Sequence, residues 1–109
     1  MESVLTTRKG VCYLCHAYKP TDLHHIIHAG TSKKVQERMG LVVYLCRDCH
    51  SALHDNGTDK ETGINQDMDL KRLAQRKWEQ KYIEDYPYEH HAKEAAREEW
   101  MKNIRRNYL

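Results

Sequence analysis

Two Cys-x2-Cys pairs, Cys12/Cys15 and Cys46/Cys49, constrain this chain more than any other feature. Two intervening residues let both thiolates of a pair reach one ion across a tight turn. Two such pairs complete the tetrahedral four-thiolate set that zinc adopts in closed, structural sites. The 30 residues between the pairs exceed the usual spacing of about 15–20, so a further element is inserted between the knuckles. Two thioredoxin-like redox pairs are another reading, but no βαβ pattern surrounds them. Disulfides are a third. The stretch MESVLTTRKG has no apolar secretion signal, so a reducing cytoplasm is expected and disulfides are disfavoured. Structural zinc is the expectation, with folding of residues 11–54 coupled to its binding.

Composition sharpens the need for metal. Leu, Ile and Val supply 19 of 109 residues and Phe is absent, too little for an ordinary core of this length. The formal charge is only +2, so the chain does not carry the self-repulsion of a disordered one. That charge also gives only a weak general pull towards nucleic acid. No apolar run approaches 18 residues, so no membrane partner is expected.

The chain changes character near residue 64. All four Cys and six of the eight His lie in residues 11–54. The polar stretch Asp55 to Gly63 is expected to be a loop. In the first part, Leu41–Leu45 and Leu23–Ile27 suggest short strands. Residues 48–56 suggest a short helix stopped by Gly57, and Thr31–Met39 a loop or a helical turn. In the second part, Leu70, Leu73, Ala74, Trp78 and Tyr82 recur at helical spacing, as do Ala92, Ala96, Trp100 and Ile104. Two helices are expected, over residues 68–85 and 88–106, as an antiparallel hairpin with both Trp as core. The organisation is then residues 1–63 and a helical extension over 64–109.

With four Cys assigned to one zinc, the histidines remain. His50 and His54 are four apart, on one face of a helix, so both imidazoles can bind one ion. His50 follows Cys49, so the second knuckle anchors that helix. A third ligand from His24 leaves coordination positions open for water and substrate, the mark of a catalytic metal. In an extended segment neighbouring side chains point to opposite sides, so His24 can face the ion while His25 faces a water.

The string Cys12-x2-Cys15, Leu23-His24-His25-Ile26, Leu45-Cys46-x2-Cys49-His50-x3-His54 resembles the HNH endonucleases. More particularly it resembles their four-Cys zinc-knuckle branch, common in bacterial and phage genomes. The resemblance covers about residues 11–57. It implies an α+β fold: a small ββα-metal, treble-clef-like zinc finger, followed here by two C-terminal helices. It implies metal ligands at His24, His50 and His54 and a general base at His25. The family's middle Asn falls at Leu41, and no Asn or Asp occurs from Ile26 through Arg47. In the family that Asn constrains the loop and orients the base, so those bonds must come from another group here.

The implied activity is hydrolysis of DNA phosphodiester bonds, leaving 5′-phosphate and 3′-hydroxyl. One divalent ion acts as Lewis acid, and neutral His25 takes a proton from the attacking water. An all-His set favours Zn, Ni, Mn or Co over Mg, which acts if water fills the rest of its shell. Lys33, Lys34 and Arg38 in the insert, Lys102, Arg105 and Arg106 near the C-terminal end, and His28 beside the site are the candidates for DNA phosphate contact. No base-reading element stands out, so double-stranded DNA with low sequence specificity is the expected partner. A homodimer is one way to cut both strands. The alternative is a non-catalytic treble-clef zinc module that binds DNA or protein.

Overall fold

In the computed structural model, residues 2–28, 30–55, 66–88 and 90–109 are described, Asp55 by its backbone alone. The elements run β1 (Thr21–His25), α1 (Lys33–Met39), β2 (Val42–Cys46), α2 (Arg47–Asp55), α3 (Gln66–Asp85) and α4 (Ala92–Ile104). The fold is α+β, with β1 and β2 paired antiparallel, Thr21 opposite Cys46 and His25 opposite Val42.

The β-branched run at β2 is buried on both faces: Val42, Val43, Leu45 and Cys46 are each at most 2% exposed. Its second edge is also covered. The Ser3 hydroxyl donates to the Val42 carbonyl, and the Tyr44 N–H donates to Thr7 Oγ1 at 3.1 Å. An otherwise open strand edge is thereby closed.

β1 stops two residues before the expected end at Ile27. Ile26 and Ile27 turn into the core, and His28 takes a left-handed φ of 66°. The cause lies in α1, the element between the knuckles. The Gln36 side chain accepts the Ile27 N–H at 2.9 Å and donates to the carbonyls of His28 (3.1 Å) and Thr31 (3.0 Å). A buried side chain thus binds the backbone groups of the chain as it leaves β1.

α1 itself is a full helix where a loop or a single turn was an open reading. Ser32 caps it by accepting the Val35 N–H at 3.1 Å, and Gly40 ends it at φ 76°. A Cβ on Gly40 would meet the Glu2 carbonyl at 2.5 Å, so both conformation and space call for glycine there.

The two C-terminal helices are antiparallel: Gln75 meets Asn107, Trp78 meets Trp100, and Glu79 meets Arg97. They start and end at Gln66–Asp85 and Ala92–Ile104, against the expected 68–85 and 88–106. The chain leaves α4 at Arg105, in the left-handed region, and folds back. There the Trp100 indole N–H donates to the Arg106 carbonyl at 2.8 Å, and Gln75 Oε1 accepts the Tyr108 N–H at 2.7 Å.

Leu70, Ala74, Trp100 and Ile104 join the same apolar cluster as Ile26, Leu41, Leu45 and Leu53. Burying an indole such as Trp100, 0% exposed, is worth roughly 4–5 kcal/mol of transfer free energy. The scarce apolar residues of both parts are thus pooled in one core. The boundary expected between residues 63 and 64 and the helix stop expected at Gly57 lie outside the described residues. Among the described residues, no helix is long and apolar enough to cross a membrane.

Candidate metal centres

The first centre is the thiolate cluster. Cys12 and Cys15 flank a tight turn in which the Cys15 N–H points at Cys12 Sγ, 3.5 Å away. His16 follows in the left-handed region at φ 64°. Cys46 ends β2 and Cys49 lies in the first turn of α2, so the sheet pairing and the helix start deliver the second pair. The four sulfurs lie within 4.8 Å of one another, Cys15 and Cys46 at 3.8 Å, and all four thiols are free. A tetrahedron of sulfurs about 2.3 Å from a zinc ion has edges of about 3.8 Å.

The thiols are electrostatically unequal without an ion. Burial pushes Cys12 up, but backbone N–H donors at Cys15, Cys46 and Leu14 outweigh it and lower it to about 6. Burial and the neighbouring sulfurs push Cys49 well up. Four thiolates cannot coexist here without a cation between them. Cys12, Cys15, Cys46 and Cys49 are positioned to hold a metal ion, and the donor set fits zinc.

The second centre is built on the same helix. His50 and His54, one turn apart on α2, bring their Nε2 atoms to 3.0 Å. Two nitrogens each about 2.1 Å from one cation stand about 3.0 Å apart when they subtend roughly 90°. His24, on β1 opposite Val43, closes the triad, and the three ligand atoms lie within 4.8 Å of one another.

His24 is 1% exposed, and its Nε2 is the one buried side-chain nitrogen or oxygen without a hydrogen-bond partner among the described residues. A buried, unpaired ring nitrogen costs on the order of 1–3 kcal/mol, which a cation at that nitrogen offsets. Burial first, then the adjacent rings of His28, His50 and His54, hold His24 down to about 3, so its lone pair is available at neutral pH.

Carboxylates orient the rings. Asp22 Oδ2 lies 3.4 Å from His50 Nδ1, which fixes the proton there and leaves Nε2 as the donor atom. Glu37 Oε1, from α1, lies 3.1 Å from His25 Nε2. His28 Nε2 hydrogen-bonds Asp67 Oδ1 in the first turn of α3, and Lys71 meets the other oxygen at 3.0 Å. Burial raises the Asp67 carboxyl, but His28 and Lys71 outweigh it and hold it below its usual range.

His24, His25, His28, His50, His54 and Asp67 all line one open cavity of about 790 Å³. Of the basic candidates, Lys33 joins this lining. Lys34 and Arg38 are exposed on α1, and Arg38 donates to Asn103 Oδ1 at 2.9 Å. Lys102, Arg105 and Arg106 are exposed at the end of α4, apart from the cavity lining.

Asp22, Gln36, Glu37 and Asp67 were not expected at the site. Only Asp22 left a signal in the sequence, since it shares a strand face with His24 two residues on. Comparison with protein-family models, with curated proteins and with solved structures gives no match.

Proposed function

We propose that this chain is a metal-dependent endonuclease of the HNH type, a treble-clef-like ββα-metal module that hydrolyses DNA phosphodiester bonds. The observation that carries the reading is the unpaired Nε2 of buried His24, convergent with His50 and His54 and next in the chain to a carboxylate-held His25. His24, His50 and His54 would hold a divalent cation, which would supply Lewis acidity and neutralise charge at the scissile phosphate.

The protein's own groups do the rest. The hydrogen bond to Glu37 keeps the proton of His25 on Nε2 and leaves Nδ1 as the basic nitrogen. His25 takes the proton of the attacking water there, and the Glu37 carboxylate stabilises the imidazolium that forms. Asp22 holds His50 in register.

Leu41, 0% exposed, sits in the core where the family carries its Asn. Two adjacent residues of α1 supply the bonds it lacks: Gln36 binds the Ile27 N–H and the carbonyls of His28 and Thr31, and Glu37 holds the base. Lys33 in the cavity lining, with Lys34 exposed next to it in the chain, offers charge for phosphate contact.

The test is nicking of supercoiled plasmid with added Mn²⁺ or Ni²⁺, comparing the native chain with His25→Ala. Nicking by the native chain that chelator abolishes and His25→Ala lacks is expected. An equal, chelator-insensitive background from both proteins sinks the nuclease reading in favour of a non-catalytic zinc module.

A further inference from the structure

The histidine cluster contains more donors than the spacing on α2 announces. His24 belongs to two sets, His24/His50/His54 and His24/His28/Asp67, each with its ligand atoms within 4.8 Å of one another. The sets border one space: the His28 ring lies 4.8 Å from that of His24 and 5.0 Å from that of His54, centroid to centroid. At their shared corner is the buried His24 Nε2 with no partner. A neutral imidazole offers one lone pair, so His24 cannot serve two ions at once. The two sets therefore describe one cation with a larger choice of ligands.

Asp67 differs from every other donor in chemistry and in origin. It is the one oxygen ligand among nitrogens, and it comes from α3 rather than from the finger. A carboxylate oxygen favours harder cations such as Mn²⁺, whereas an all-imidazole shell suits Co²⁺, Ni²⁺ and Zn²⁺.

We propose that the Asp67 carboxylate is a ligand of the cation held by His24, His50 and His54, exchanging its bond to His28 for the metal, so that α3 both completes the centre and sets its preference towards manganese. The inference rests on the metal centre of the proposed function and not on DNA cleavage.

The test uses the full chain with zinc already in the thiolate site. Co²⁺ is titrated by its visible absorption and Mn²⁺ by its electron paramagnetic resonance, in the native chain, Asp67→Asn and His54→Ala. Asp67→Asn is expected to weaken Mn²⁺ binding at least about 10-fold while weakening Co²⁺ binding markedly less. His54→Ala is expected to lose both. Equal affinities for native and Asp67→Asn, with His54→Ala still defective, overturn the role of Asp67 and leave the three-histidine centre standing. No Co²⁺ binding by the native chain removes the centre itself. A second measurement avoids mutation: amide hydrogen exchange at Asp67–Leu70 is expected to slow when Mn²⁺ is added to the native chain. Unchanged exchange at saturating Mn²⁺ overturns the proposal.

Discussion

Replacing Gln36 by Leu tests how the loop between the knuckles is held. The side chain is fully buried, and Leu is close to it in volume, so the change removes polar bonds without opening a large cavity. Three bonds go: one accepted from Ile27 N–H and two donated to the carbonyls of His28 and Thr31. Ile27 is 4% exposed, so its N–H is stranded in the core at a cost of about 1–3 kcal/mol. The two carbonyls lie on half-buried residues that water reaches, so their loss costs about 0.5 kcal/mol each. The sum is about 3 kcal/mol, a large fraction of the roughly 5–15 kcal/mol of a domain this size. It corresponds to a fall in Tm of roughly 10–20 °C. Urea unfolding of the zinc-loaded protein measures the total, and native-state hydrogen exchange at the Ile27 amide measures the local part. Gln36→Glu is expected to be no better, because it aims a carboxylate oxygen at two carbonyls. A loss below about 1 kcal/mol together with an unchanged Ile27 amide refutes the reasoning.

Other consequences are as direct. Cys12→Ser, or a strong zinc chelator, is expected to unfold residues 11–54, because a zinc ion held by these four thiolates would supply about 10 kcal/mol or more; circular dichroism with a zinc-release assay checks it, and a chelated yet folded chain counts against it. Glu37→Gln keeps a hydrogen bond to His25 but removes the charge. Nicking is expected to fall at least about 10-fold, whereas unchanged nicking makes Glu37 merely structural. His24 is expected to stay neutral as pH falls from 7 to 5 when the thiolate site is filled, read from its ring nitrogens by NMR; a midpoint near 6.5 refutes its burial in neutral form. Folded His24 titrates near 3 and the unfolded residue near 6.5, so the unfolded chain takes the proton first. The stability it contributes is whole above about pH 6.5 and falls by about 1.4 kcal/mol per unit below that.

What the sequence revealed is what is local. The x2 spacing of the two Cys pairs and the x3 spacing of His50 and His54 are set by one turn of chain, and each of the three pairs brings its ligand atoms together. The stripes at Leu70/Ala74 and at Ala96/Trp100/Ile104 are likewise buried on their helices. What it hid is what is distant. His28 and Asp67 are 39 residues apart, and His25 and Glu37 are 12 apart, so no period links them. Gln36 resembles any polar helix residue until its carboxamide is seen facing three backbone groups. The strand expected over Leu23–Ile27 lies two residues earlier, at Thr21–His25, for the same reason. Apolar continuity through Ile26 and Ile27 suggested extension, whereas the bonds that end β1 come from a helix further along.

Both tryptophans of the chain, Trp78 and Trp100, sit on the helical pair with ring centroids 5.7 Å apart, while the thiolate knuckles carry only tyrosine nearby. The molecule is therefore optically divided. Indole emission watches α3 and α4, and thiolate-to-metal absorption of a bound ion would watch the thiolate cluster. Because Trp100 shares its core with Leu41 and Leu45, stripping the thiolate ion should shift the indole emission in the same transition that bleaches the thiolate band. Two separated transitions would instead measure, in one cuvette, how loosely α3 and α4 are held to the thiolate cluster.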